Sequence, residues 1–111
     1  MDIDLGQLVK DMQDAATGVL QKDVETVQGF SKRQLDAIAL QVHVVATGIA
    51  TGNISGELQE FFLDGLKDMV RSFVRTLHGL LMVTIEKVWN AVVGVLWNAI
   101  SKATGLVLPA P

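Results

Sequence analysis

A chain of 111 residues has room for one domain, and at this size much of the folded surface stays in water. Half of its residues are hydrophobic and only 19% are charged, below the roughly 25% usual for soluble domains, so apolar surface is in excess. A net charge of −3, with acids near both basic concentrations (Lys32-Arg33 and Arg71/Arg75), argues against the clustered basic face that nucleic acid requires, and the absence of cysteine excludes a disulfide framework and thiolate chemistry.

The first residues, Met1-Asp2-Ile3-Asp4, lack the basic start and apolar run of a secretory signal. The expectation is therefore a cytoplasmic or virion-internal protein, with membrane association as the alternative. Asp4 has the chemistry of a helix N-cap, and Gln7 stands where a capping box needs it. Ile3 and Leu8 flank that cap as a hydrophobic staple. Leu5, Leu8, Met12, Ala15/Ala16 and Val19, then Leu20, Val24 and Val27, recur at steps of three and four and define one helix face. Gly29 is a natural stop, so the first predicted helix covers about 5–28.

The same grammar repeats at Ser31 and Gln34, a second capping box, with Phe30 and Leu35 in the staple positions. Leu35, Ile38, Val42, Val45 and Ile49 then alternate steps of three and four, the spacing of a heptad seam. Ile38, Leu40, Val42 and Val44 also alternate as a strand would. The cap and the longer register favour a helix over about 32–50. The stretch from Ala37 to Gly56 has no formal charge, but Gln41, His43, Asn53, Ser55 and its glycines make it a poor membrane span.

Gly52-Asn53-Ile54-Ser55-Gly56 is the strongest turn in the chain, with Ser55 placed to cap the next helix. From Gly56 to Lys102 there is no proline. Leu58, Phe62, Leu66, Met69, Phe73, Leu77 and Leu80 form an apolar seam. Glu57, Glu60, Asp64, Asp68, Arg71 and Arg75 form a wet face on which acids precede bases, as the helix dipole prefers. Beyond Arg75 the polar line thins to His78, Met82, Glu86, Asn90, Gly94 and Asn98, one residue wide, the pattern of a helix buried over most of its circumference. A single helix over 56–102 would be about 70 Å long, against a radius of gyration near 13 Å for a domain of this size. Either the helix breaks, with Gly79 the best candidate, or one long helix packs on two shorter ones. The expected fold is thus all-α, a small bundle of three or four helices spanning 1–111, with a short tail over 103–111.

Few residues carry chemistry. His43 and His78 are the only histidines, and neither has a second ligand one helical turn away, so no metal site is expected. Glu57, Glu60 and Asp64 read as a solvated ridge rather than a catalytic pair. Glycine-rich phosphate loops are absent. No catalytic residue and no cofactor is expected. Gly65, Ser72 and Gly79 recur every seven residues and would let another helix approach closely, from the same chain or from another. Trp89-Asn90 is echoed by Trp97-Asn98 on the most apolar segment. Tryptophan suits boundaries that are part wet and part apolar. Gly65, Ser72, Gly79, Trp89, Val93, Leu96, Trp97 and Ile100 are accordingly the interface candidates. The Glu86-Lys87 pair argues against a simple lipid-spanning helix there. Together these features predict a non-enzymatic structural or interaction protein, a homo-oligomer or a subunit of a larger complex, joined through its C-terminal helix. The alternative is a protein that coats a lipid or other apolar surface.

Overall fold

A computed structural model describes residues 3–20, 29–81 and 85–108, with side chains over 3–19, 32–76 and 86–108. Among the described residues there are four helices and no strand: α1 (Leu5–Leu20), α2 (Gly29–Ala50), α3 (Glu57–Leu81) and α4 (Ile85–Thr104). The radius of gyration is 13.6 Å and the longest axis 40 Å. The chain is an all-α, four-helix bundle.

Local chemistry starts and stops these helices. The Gln7 amide donates to Asp4 Oδ1 at 3.0 Å, so Asp4 caps α1 as its position predicts. The reciprocal half of the capping box is not made, because the Gln7 side chain donates forward to Asp11 at 2.8 Å. After α2 the chain turns through Gly52, at φ 81°, a conformation that only glycine adopts without strain. Ile54 folds back there, its amide bonded to the Gly48 carbonyl at 2.9 Å, and Gly56 at φ 44° leads into α3. Ser55 meets the first turn through its backbone carbonyl, which accepts from the Leu58 amide at 2.9 Å. Gly105 ends α4 in the left-handed conformation, its amide bonded to the Ser101 carbonyl at 2.8 Å.

Two boundary expectations are corrected, and a third falls outside the described residues. Gly29 is the first residue of α2 rather than the stop of α1, so Ser31 lies inside the first turn and is not its N-cap. The Ser31 side chain lies outside the described residues, and Gln34 donates instead to Thr76 Oγ1 at 3.3 Å, tying α2 to α3. The first helix is described to Leu20, and the stretch of the expected helix over 21–28 lies outside the described residues. Finally, α3 continues through Gly79 to Leu81, so the helix does not break at Gly79; residues 82–84 lie outside the described residues.

Sequential neighbours pack against one another, and α4 touches α1, α2 and α3. The start of α1 lies beside the end of α4, where Ile3, Leu8, Val95, Ala99 and Ala103 line one groove. Gln59 and Leu63 of α3 share another with Trp97 and the segment after α4. Helix α4 therefore runs antiparallel to both α1 and α3. A single helix across α3 and α4 is ruled out by the same contacts, because the chain must reverse for its end to meet the start of α3.

One core joins all four helices: Leu8, Met12 and Ala16 from α1; Leu35, Ile38, Val42 and Val45 from α2; Leu66, Val70, Phe73 and Val74 from α3; and Val88, Val92, Val93, Leu96 and Ile100 from α4. The heptad seam of α2 is thus the buried face, and the strand reading of that segment fails. On α3 every member of the predicted wet face is exposed. On α4 the outer stripe is Glu86, Asn90 and Asn98, with Gly94 between them half-buried. Burying a leucine- or phenylalanine-sized side chain is worth about 1.5–3 kcal/mol, and this shared core holds the bundle together.

Candidate interaction surface

The interface candidates separate into two groups. Val93, Leu96 and Ile100 are completely buried and Trp97 is 7% exposed, all within one chain. Helix α4 spends its apolar circumference on three neighbours, so these four side chains offer a partner almost no surface in this fold. Trp89 is half-buried. Its indole N–H donates to the Lys67 carbonyl at 3.2 Å, and the Arg71 guanidinium lies 5.7 Å from its ring centroid. The Lys67 ammonium lies 5.7 Å from the Trp97 ring. The two tryptophans thus pin α4 against α3 beneath two cations, an arrangement worth roughly 0.5–1 kcal/mol per cation where water has access.

Gly65 and Ser72 behave differently. Both are exposed, and a Cβ added at Gly65 would meet nothing within 4 Å. At Gly65 and Ser72, then, no other described helix of the same chain packs on the small-residue line. Gly79 lies in α3, with its surroundings outside the described residues.

Sequence reasoning missed the apolar surface that the fold leaves uncovered. Phe61 is 70% exposed, Leu40 55%, and Val44 and Leu58 51% each. The α2 seam identifies its buried side, which places Leu40 and Val44 opposite it, one turn apart. Phe61 stands beside Phe62, the rings 5.5 Å apart and nearly perpendicular, but only Phe62 turns toward the core. Open grooves flank these residues. Leu5, Val9, Ala39 and Leu40 line one between α1 and α2; Gln41, Phe61, Phe62, Gly65 and Met69 line one between α2 and α3. The signal for this surface was present in the sequence: Leu40, Val44 and Phe61 fall off the seams that α2 and α3 need for their core.

The rim is acidic. Asp36, Glu57, Glu60, Asp64 and Asp68 are exposed around the patch. No metal-binding group of three histidine or acidic residues occurs among the described residues. His43 is half-buried on α2, and its buried Nδ1 makes no hydrogen bond among them; the buried Thr47 hydroxyl one turn later is in the same position. His78 lies outside the described side chains. No described helix is long and apolar enough to cross a membrane.

The fold is a four-helix bundle with exposed apolar side chains on α2 (Leu40, Val44) and α3 (Leu58, Phe61). In comparison with known proteins, the chain matches no family, no curated protein and no solved structure.

Proposed function

We propose that this protein is a non-enzymatic interaction module that self-associates, or joins a larger complex, through the outward side of α2 and α3. The observation that carries this reading is the exposure of Leu40, Val44, Leu58 and Phe61 on adjoining helices, beside the open backbone at Gly65. The reading takes these four side chains as one apolar surface, the kind that marks an interaction site, whereas single exposed apolar residues do not. The expected route through α4 is replaced because α4 is consumed by the chain's own core.

On α3 the exposed acids Glu57, Glu60, Asp64 and Asp68 outnumber Arg71 and Arg75, which favours a protein over an anionic lipid surface. Anionic headgroups repel carboxylates, and amphipathic helices that lie on membranes carry lysine and arginine around their apolar face. Light scattering over a concentration series, with and without detergent, tests the reading. Self-association that Phe61→Glu abolishes without loss of helicity supports it. A monomer at every concentration that co-sediments with neutral vesicles transfers the patch to lipid and refutes self-association.

A further inference from the structure

The charges on the outward face of α3 are segregated. Glu57, Glu60, Asp64 and Asp68 precede Arg71 and Arg75, and all six are exposed. The spacing is also matched: Asp64 stands four residues before Asp68, as Arg71 stands four before Arg75. Four residues rise about 6 Å along a helix. When two copies of such a helix run antiparallel, one register brings Asp64 level with the partner's Arg75 and Asp68 level with the partner's Arg71. The two-fold axis then crosses at the height of Met69 and Val70. The same four charges share one side of the helix. At about 100° per residue, Asp64, Asp68, Arg71 and Arg75 fall within a stripe roughly 60° wide, with Asp64 and Arg75 near its centre.

We infer that the partner on this surface is a second copy of this chain, docked antiparallel along α3 with Asp64 facing Arg75 and Asp68 facing Arg71. This rests on the self-association reading above and adds its orientation. Within one copy Arg71 already meets Asp68 at 3.3 Å. Both side chains keep much of their surface, 47% for Arg71 and 74% for Asp68. In the pair, the two such ion pairs lie head to tail about the axis. Phe61 comes level with the last turns of the partner helix, and α3 extends far enough, to Leu81, to receive it. A closed two-fold contact of this kind uses each surface once and stops at a dimer.

The helix dipole alone also favours acids before bases. It does not require that two exchanged charges restore association, and that distinction supplies the test. The full chain is followed by sedimentation equilibrium over a concentration series at low and at physiological salt. The wild-type protein dimerises, more weakly at higher salt because the facing charges are screened. Asp64→Arg and Arg75→Asp each raise the dissociation constant by about tenfold or more, since the two-fold axis places two like-charge contacts in every dimer. Mixing these two variants recovers association, because each supplies the charges that the other now needs. Arg75→Gln, which removes the charge without reversing it, reduces the salt dependence and serves where a reversal disturbs the helix signal. If either reversal associates like the wild type, or if the mixture gains nothing over its components, the antiparallel register is wrong. Should Phe61→Glu still dissociate the protein in that case, the wider surface stands without this register. A wild-type chain that is monomeric at several hundred micromolar overturns both.

Discussion

Replacing Leu96 with alanine separates a core helix from an interface helix. Leu96 has no exposed surface, and it belongs to a cluster with members on all four helices. Truncating a buried leucine removes its transfer free energy and leaves a cavity, at a total cost of about 2–5 kcal/mol. The site is enclosed by helices on more than one side, so collapse around the gap is restricted and a loss of about 3 kcal/mol is expected. A domain of this size has about 5–15 kcal/mol of stability, and each kcal/mol moves the thermal midpoint by about 4 °C. Circular dichroism should therefore show the Leu96→Ala midpoint about 10–15 °C below wild type, with the same loss at low and high protein concentration. Concentration independence is the decisive part, because stability drawn from a subunit contact rises with protomer concentration. If Leu96→Ala instead lowered the mass in solution while leaving helicity and midpoint intact, α4 would be an association surface and the assignment of its apolar face to the core would be wrong. By the same logic Trp97→Glu unfolds the chain rather than releasing a folded subunit.

Two further substitutions probe the surface and the turn. Gly48→Ala places a Cβ in collision with Ile54 Cδ1 and Cγ1, while the Ile54 amide is held by the Gly48 carbonyl. Overpacking of this kind costs about 1–3 kcal/mol, more than the helix propensity that alanine adds, so a fall in urea midpoint is expected. An unchanged midpoint would show that Ile54 swings out freely. Gly65→Ala meets nothing within 4 Å and sits in a regular helix, so it should stabilise the protein by about 0.4–1 kcal/mol. A loss of stability in dilute solution would mean that another part of the chain approaches α3 there.

The buried faces were legible in the sequence because a helix that packs on one side repeats every three and four residues. The α2 seam from Leu35 to Val45, the wet face of α3 and the thin polar stripe of α4 all lie where their spacing places them. Asp4 was legible as a cap because its carboxylate has one obvious use at a helix start. Boundaries were less so. Gly29 and Ser31 carry strong local signals, yet both are helical residues of α2, since a glycine in a helix costs only about 1 kcal/mol and packing by Leu35 and Ile38 outweighs it. For the same reason Gly79 does not break α3. The covering of α4 was not legible at all. A nearly all-apolar helix announces that it will be buried, but a neighbour from the same chain and one from another chain leave the same pattern. Leu40, Val44 and Phe61 were harder still. Their exposure becomes visible only once the rest of each helix has been assigned to the core.

The placement of α4 also governs the order in which the chain can assemble. Among the described residues its pairing with α1 is the most extensive, and it joins the first helix to the last. The α2–α3 hairpin closes a short loop, whereas the α1–α4 contact must close nearly the whole chain, and loop closure opposes folding more as the loop grows. A ribosome makes these helices from the N-terminus at about 5–20 residues per second. Until the segment from Val88 to Ile100 has left the exit tunnel, Met12, Ile38, Val42 and Phe73 lack the wall that seals them in the finished protein. The nascent chain is for those seconds a set of greasy helices without a lid, and a natural client for whatever holds such chains apart during synthesis.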